Sequence, residues 1–401
     1  MTPNGKLGQV IKKEPVKTSV KGARAWKIAY ISSDVGGVKT IATGLVVAPT
    51  AKAAVADRPI MAWSHGTTGA AQNCGPSQVL DPAVPLNEYY LVGGNSWMDY
   101  GLPGVEEFIA AGYVVVATDY QGQGGGGRHH YSLADTNAKD LVNSARAASS
   151  MAETGAGKKT ILYGWSQGGG AALAAVSSPE YLSQKGTASD GIEVMGVVAL
   201  APYDNAVMVP QVPTDEAGAG KVMTGFLEMF SKTVFDFSHY GMAMWGLQAA
   251  NPKLKLTDLF TDEGAKVIDE VVSNKCMHAL ADTLSYNFGE NYKSLLRTPQ
   301  VNQLEWLTAV IKGSVAPVKP VAPVVIYWGT KDVTNPPIMG KLYQEQMCKL
   351  GGNVDRVQLP GEQTHFTTPG TAKPLYLPWI KDRLAGKPAT NNCAIAATLG
   401  S

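Results

Sequence analysis

One stretch constrains the fold of this 401-residue chain more than any other: "TILYGWSQGGGAALAAV", at residues 160–176. A β-prone run ends in the pattern G-x-S-x-G, and small residues that begin a helix follow it. This pattern is typical of a nucleophile elbow, in which a strained strand-to-helix turn lifts a serine hydroxyl above a sheet. A Cβ at either flanking glycine would collide with the neighbouring strand or helix, so Gly164 and Gly168 are the expected supports. We therefore predict Ser166 as a catalytic nucleophile rather than a structural serine in a glycine-rich turn.

Apolar strand-like runs recur along the chain and alternate, in its later part, with stretches of helical periodicity. Several runs are apolar nearly throughout, as strands buried on both faces of a parallel sheet are. The turn "SDVGGVK" joins the first two, which favours an antiparallel N-terminal edge. The sequence thus predicts an α/β fold with a mostly parallel central sheet. The runs are "AWKIAYIS", "KTIATGLVVAP", "RPIMAWS", "YVVVATD", "KTILYGW", "EVMGVVALAP", "PVVIYWG" and "VDRVQL".

A long insertion separates the sixth of these runs from the seventh, and it is far longer than an ordinary crossover. It carries helix-like segments rich in Met, Phe and Trp and returns through the Pro-rich "SVAPVKPVAP". Most of these large apolar residues are expected to be packing residues. We predict a helical cap at 205–320, a core made of 20–204 and 321–401, and an N-terminal extension at 1–19.

A serine hydroxyl is a weak nucleophile and needs a base held by an oriented partner. In folds with this elbow the partners follow in the order acid, then histidine. The run "PVVIYWG" leads into "GTKDVTNPP", which contains Asp332, and "VDRVQL" leads into "PGEQTHFTTP", which contains His365. Both would emerge at the carboxyl edge of the sheet, where Ser166 sits. Asp204, in "APYDNA", is the rival acid, but the turn around Asp332 is better aimed at the following loop.

The other five histidines are predicted to have structural or solvated roles: His65, His129, His130, His239 and His278.

Donors for a developing oxyanion are predicted at two places. One is the backbone N–H of Gln167, the residue after the nucleophile. The other is the loop "SHGTTG", in which the turn at His65 and Gly66 would present the N–H of Thr67. The hydroxyl of Thr67 or Thr68 could add a side-chain donor.

Composition excludes several classes of protein. The net charge is +1, which provides neither the basic surface of a nucleic-acid-binding protein nor a polybasic membrane patch. No apolar run approaches the length of a membrane span. The start "MTPNGKLGQVIKKEP" lacks the apolar region of a signal peptide.

The cysteines bear on the compartment. They number four and form no C-x-x-C motif, so zinc is not indicated. Two disulfides in an exported protein are favoured over four buried thiols, although spacing leaves three connectivities open. The missing signal peptide leaves two possibilities, a cytosolic protein or one whose leader is absent from this sequence. The cysteines favour the second, so we expect a secreted or periplasmic protein.

With elbow, acid, histidine and oxyanion loop in place, the chain resembles the secretory lipase family, the lipase A-like branch of the α/β-hydrolases. The resemblance covers nearly the whole chain and rests on "GWSQGGGA", "GTKD", "THFT", the long insert and the cysteine surroundings "NCGPS", "NKC", "EQMCK" and "NNC". It implies an α/β-hydrolase fold with a cap inserted before the acid-bearing strand, and secreted carboxylic ester hydrolases that need no metal or cofactor. It also implies the disulfides Cys74–Cys276 and Cys348–Cys393.

Two departures favour an open esterase over an interfacial lipase. Gln167 is larger than the residue that fungal members tend to have after the nucleophile. The tail beyond Cys393 is also shorter than the flap-forming tail of the yeast lipase A type.

A glycine run in "YVVVATDYQGQGGGGRHHY" offers a competing interpretation, because Gly122, Gly124 and Gly127 spell the dinucleotide pattern G-x-G-x-x-G. That motif should follow the first strand of its unit and open directly into a helix, whereas a polar segment follows here. The resemblance suggests instead that this loop leaves the strand beside the elbow strand. Asp119 and Tyr120 would then help to fix the floor of the site, and the glycines would keep one wall low or mobile, so that Asp119, Tyr120, Gly124 and Gly125 are the predicted rim of a substrate cleft.

The leading functional hypothesis is a serine ester hydrolase that forms an acyl-enzyme with a small-molecule, lipid or aromatic ester carrying a bulky apolar part. An amidase, carbamate hydrolase or acyltransferase could use the same residues. A third hypothesis is a non-catalytic, hydrolase-like binding protein. A fourth is a nicotinamide or flavin enzyme. The complete set Ser166, Asp332 and His365 favours a hydrolase over both of these.

Overall fold

A computed structural model describes residues 3–53, 56–84, 101–209 and 211–394. Within these residues a single mixed sheet has the strand order β1-β2-β3-β5-β4-β6-β7-β8-β9. β1, β2, β3 and β5 pair antiparallel, and the pairs from β5 through β4 to β9 are parallel. The predicted fold class, with its antiparallel N-terminal edge, is confirmed. The strands are β1 Val10–Val16, β2 Ala23–Ser33, β3 Lys39–Pro49, β4 Arg58–Ser64, β5 Val114–Gln121, β6 Ala156–Trp165, β7 Glu193–Leu200, β8 Val324–Trp328 and β9 Val354–Gln358.

Helices cover both faces of the sheet, and a further group lies between β7 and β8. Against one face pack side chains of α2, α3 and α10, such as Leu141, Leu173 and Met347, and against the other pack side chains of α1 and α11, such as Phe108 and Tyr376. The helices are α1 Val105–Ala110, α2 Ala134–Ser150, α3 Gln167–Val176, α4 Pro179–Leu182, α5 Glu216–Met229, α6 Val234–Ala250, α7 Asp262–Asn274, α8 Met277–Phe288, α9 Gln303–Gly313, α10 Ile338–Lys349 and α11 Thr368–Leu384.

The central strands are buried because both faces of the sheet are covered. In β6, Ile161 and Tyr163 belong to one core and Leu162 to the other, as the two-residue period of a strand requires. Every residue of β5 is buried. Apolar runs without polar alternation are therefore the sequence signature of these strands.

The segment predicted as an N-terminal extension, 1–19, contributes the edge strand β1 to the sheet. Its sequence is VIKKEPV, and its residues are exposed or half-buried. An edge strand with solvent on its free side can carry lysines and a proline. That composition gives β1 no apolar run by which it could be recognised.

Helices α5 to α9 form a third core, which also includes Ala70, Tyr131 and Leu133 from the rest of the chain. Its buried side chains include Phe237, Ile268 and Trp306. A capping box between Thr233 and Asp236 begins α6. None of the helices in the described ranges is both long and apolar enough to cross a bilayer.

Candidate active site

Ser166 lies on a strained turn between β6 and α3. Its backbone has φ 59° and ψ −118°, a conformation that is costly for a residue with a side chain. A Cβ added at Gly164 would collide with the carbonyl of Gly168, and one added at Gly168 would collide with the carbonyl of Ser64. The turn is further fixed by the Ser166 N–H, which donates to the carbonyl of Leu200 at 2.9 Å. The local sequence therefore requires glycine on both sides of this serine.

Asp332 and His365 lie close together on the loops that follow β8 and β9. Nδ1 of His365 donates to Oδ2 of Asp332 at 2.8 Å, and both side chains are buried. The other carboxylate oxygen accepts from the backbone N–H groups of Thr334 and Asn335, at 3.0 and 2.8 Å. In the neutral imidazole this bond places the proton on Nδ1 and leaves the lone pair on Nε2.

Trp165 holds His365 beside the elbow. Its indole Nε1 donates to the carbonyl of His365 at 3.1 Å, and the two ring centroids are 5.0 Å apart. Since Trp165 immediately precedes Ser166, the histidine loop is anchored one residue from the serine.

The rival acid Asp204 lies in a different environment. Its Oδ1 accepts from the backbone N–H of Ala206 at 3.1 Å. Burial raises the pKa of its carboxyl to about 7. Asp332 is thus the carboxylate that bonds His365.

The loop after β4 brings Thr67, but not Thr68, to the cavity above the serine. Thr67 lines that cavity with Ser166 and Gln167, and its hydroxyl is 2.7 Å from the hydroxyl of Tyr131. The Thr68 hydroxyl instead accepts from the side-chain amide of Gln123 at 3.0 Å.

Gly66 and His65, in the same loop after β4, are held by contacts with neighbouring residues. A Cβ at Gly66 would collide with the ring of Trp165. The carbonyl of His65 accepts from the Tyr120 hydroxyl at 2.8 Å, and burial lowers the pKa of the His65 ring to about 4.

The side chain of Gln167 belongs to a buried polar network that the sequence does not reveal. Its Nε2 donates to Oδ1 of Asn137 and to Nε2 of His129, each at 3.1 Å. Nδ1 of His129 donates to the carbonyl of Gln121 at 2.8 Å, so Nε2 is left as the acceptor. Burial lowers the pKa of His129 to about 3, which keeps the ring neutral. The network therefore holds the side chain of Gln167, the residue that follows Ser166.

A narrow cavity of about 30 Å³ lies between Ser166 and the cap, which comprises helices α5 to α9. Ser166 itself is only 7% exposed. Helices α5 and α6 supply most of the wall above it. The cap residues that line the cavity are Phe226, Phe230, Asp236, His239, Tyr240, Ala243 and Met244.

The structure corrects the prediction of a cleft rim. The glycine run follows β5, which pairs with β3 and β4, so β4 separates it from the elbow strand β6. A Cβ at Gly124 would press against Thr43, and one at Gly125 would collide with the carbonyl of Ile41, both on β3. These glycines therefore pack against the antiparallel part of the sheet.

Asp119 and Tyr120 do not line the cavity at Ser166 either. The Asp119 carboxylate accepts from the hydroxyl of Thr43 at 2.8 Å and from the backbone N–H of Ser77 at 2.9 Å. Tyr120 is fully buried. Neither residue, nor Gly124 or Gly125, is among the described residues that line the cavity at Ser166.

Both disulfides have the pairing that the resemblance implies. Cys74 lies in a short turn after the loop that carries Thr67 and pairs with Cys276, which immediately precedes α8 of the cap. Cys348 of α10 pairs with Cys393 in the C-terminal segment. The first bridge therefore ties the cap to the loop that carries Thr67.

A nine-stranded, mostly parallel sheet with a serine at a strand-to-helix elbow defines the class of the α/β-hydrolases. The chain belongs to the secretory lipase family, whose profile matches residues 98–392. The resemblance stated from the motifs is thereby confirmed. No curated protein matches the sequence.

Solved structures share the fold at low sequence identity. Lipase A of Candida antarctica is 16% identical, with a TM-score of 0.71, and the match covers 96% of this chain and 84% of that one. The rice cell wall degrading esterase LipA of Xanthomonas oryzae is 17% identical, with a TM-score of 0.69 and coverage of 95% and 99%. A putative hydrolase of Legionella pneumophila is 16% identical, with a TM-score of 0.63 and coverage of 94% and 98%.

Family membership supports carboxylic ester hydrolysis as the activity, and together with the disulfides it suggests a secreted protein.

Proposed function

We propose that this protein is a serine carboxylic ester hydrolase in which Ser166 is the nucleophile, His365 the general base and Asp332 its partner. The observation that carries the proposal is the 2.8 Å bond between Nδ1 of His365 and Oδ2 of Asp332, anchored through Trp165 beside the elbow serine. This bond fixes the tautomer in which Nε2 can take a proton from the serine. The buried carboxylate then stabilises the imidazolium that forms.

The reaction would proceed in two halves. Oγ of Ser166 forms a bond to the ester carbonyl carbon while its proton passes to Nε2 of His365. The tetrahedral intermediate expels the alcohol, which leaves with that proton, and an acyl-enzyme remains. Water then attacks the acyl carbon, gives its proton to His365, and the acid departs as Oγ is reprotonated.

The oxyanion of each intermediate would be bound by the backbone N–H groups of Gln167 and Thr67. Gln167 is the first residue of α3, where N–H groups have no partner within the helix. Its side-chain bonds to His129 and Asn137 hold it in place, which supports a preorganised donor. Thr67 is preferred to Thr68 because it lines the cavity, while the Thr68 hydroxyl is bonded to Gln123.

The substrate would carry a bulky apolar acyl or aromatic part. Four apolar side chains of the cap face the space above Ser166, namely Phe226, Phe230, Ala243 and Met244. Burying a large apolar group against them contributes about 1.5–3 kcal/mol, which is lost for an acetyl ester.

Labelling with a fluorophosphonate probe tests the nucleophile. We expect one adduct, located on the peptide that contains Ser166, and no adduct in Ser166→Ala. Ser177→Ala is the matched control, because Ser177 is also buried and lies at the far end of α3. Labelling of Ser166→Ala at the wild-type rate would refute the assignment.

A series of nitrophenyl esters of increasing acyl length, with the matching anilides, tests the substrate class. A rise in kcat/KM with acyl length supports the apolar part, and a preference for the acetyl ester contradicts it. Faster cleavage of the anilides would favour an amidase.

A further inference from the structure

A buried asparagine contacts the hydroxyl of the elbow serine. Nδ2 of Asn335 donates to Oγ of Ser166 at 3.3 Å and to the carbonyl of Ala201 at 2.9 Å. Asn335 is 6% exposed and lies on the cavity wall. Both hydrogens of its amide group therefore have acceptors, and one of these acceptors is the atom that would attack the ester.

The position of this amide is set by the same carboxylate that holds the histidine. The backbone N–H of Asn335 donates to Oδ1 of Asp332 at 2.8 Å, while Oδ2 accepts from His365. The acceptor carbonyl belongs to Ala201, whose N–H in turn donates to the carbonyl of Tyr327 at 2.9 Å. One turn after β8 thus orients both the base and a donor to the nucleophile.

We propose that Asn335 is a further catalytic residue that stabilises the charge developing on Oγ of Ser166. The inference rests on the proposed function, since it assumes that Ser166 is the nucleophile. Because Asn335 occupies one lone pair of Oγ, the serine hydrogen is directed away from Asn335 and is available to His365.

As that proton leaves, the bond from Asn335 becomes one to an increasingly negative oxygen, and bonds of this kind are about twice as strong as neutral ones. The same donor acts again in deacylation, when Oγ leaves the acyl carbon as a nascent alkoxide. Asn335 neither gives up nor gains a proton in either step. Its contribution is therefore electrostatic and is larger in the transition state than in the ground state.

Replacement of the donor tests this role. Asn335→Leu keeps the approximate volume and removes both hydrogen bonds of the side chain. Removal of a donor from an oxyanion hole costs about 10²–10³ in kcat, and for this longer bond we expect a loss of about tenfold to a hundredfold. KM should change little, and the second-order rate of fluorophosphonate labelling should fall by the same factor.

Asn353→Leu is the matched control. Asn353 is half-buried, and its Nδ2 also donates to a backbone carbonyl, that of Ala389, at 3.3 Å. It precedes β9, at the opposite end of the sheet from the catalytic loops. We expect this variant to lose stability without a change in kcat or in the labelling rate.

Asn335→Asp keeps the shape of the side chain and answers the same question if the leucine variant does not fold. Only the protonated acid can donate to Oγ, so its kcat relative to wild type should fall further as pH rises through the pKa of the new carboxyl. A purely structural role predicts instead that this loss follows the fraction of unfolded protein, which circular dichroism at each pH measures.

Two results separate the possible failures. If wild type is labelled at Ser166 and Asn335→Leu is labelled at the same rate, this inference is wrong and the proposed function stands. If wild type is not labelled at Ser166, both fall.

Discussion

A buried carboxyl group should make this protein less stable as pH rises from about 4 to 7. Asp140, on α2, is fully buried, and its Oδ2 accepts from the backbone N–H of Gln121 at 2.9 Å. The hydroxyl of Ser32 also contacts this carboxyl and partly offsets the effect of burial on its pKa. Burial raises the pKa of Asp140 to about 7, from 3.8 for an unperturbed aspartate.

The direction and size of this change in stability follow from the coupling between proton binding and folding. Between these two pKa values the unfolded chain releases the proton and the folded chain keeps it, so each pH unit lowers the free energy of unfolding by about 1.4 kcal/mol. From pH 5 to pH 8 the loss attributable to Asp140 is about 2–3 kcal/mol, because the folded protein also ionises above pH 7. The contribution is fully present below about pH 4.

Urea denaturation of wild type and Asp140→Asn at pH 5 and pH 8 measures this contribution. The amide does not titrate, so the variant should gain about 2–3 kcal/mol relative to wild type between the two pH values. Asp190→Asn is the control. Hydrogen bonds from Gly186 and Thr187 lower the pKa of Asp190 to about 2, so this group is ionised in both states throughout the range.

The comparison between two pH values isolates Asp140, since the titration of all other groups is common to both proteins. A stability difference between Asp140→Asn and wild type that is equal at pH 5 and pH 8 would refute the reasoning. Asp140 would then be ionised inside the folded protein, stabilised by charges or water that outweigh its burial.

Two further changes are predicted to act on the elbow and the cap. Gln167→Leu leaves acceptors on His129 and Asn137 buried without their donor. The free energy of unfolding, measured by urea denaturation, should therefore fall by about 1–3 kcal/mol for each acceptor. An unchanged midpoint would show that the network contributes little. Joint replacement of Cys74 and Cys276 by serine opens a loop of 202 residues and should cost a few kcal/mol. Limited proteolysis should then cut the cap region faster than in wild type. An equal rate would show that the disulfide does not hold the cap to the loop that carries Thr67.

The central strands could be predicted from the sequence because strands buried on both faces are apolar nearly throughout. The first half of β5 and the inner half of β6 are apolar nearly throughout, and a strand with that composition has few other places in a globular protein. β1 lacks such an apolar run. Its lysines tolerate solvent at the edge of the sheet, and only the backbone pairing with β2 makes it a strand.

Those site residues could be predicted whose positions depend only on the strand that they follow. Asp332 and His365 follow adjacent parallel strands, so their approach to 2.8 Å depends on topology that the strand pattern indicates. Asn335 could not be found in this way. Its role depends on the direction of a side chain within a turn and on the carbonyl of Ala201, which is 134 residues away in sequence.

The glycine run shows why a loop cannot be assigned to a site from its neighbours in sequence. The family resemblance suggests that β5 lies beside β6, but β4 lies between them. Gly124 consequently packs against β3. The same loop nevertheless reaches the site further on, where His129 accepts a hydrogen bond from Gln167. A Cβ at Gly122 would collide with the backbone of His129, so this glycine permits the close return of the chain. The run therefore helps to position Gln167, the residue after Ser166, whereas residues of the cap line the cavity above the serine.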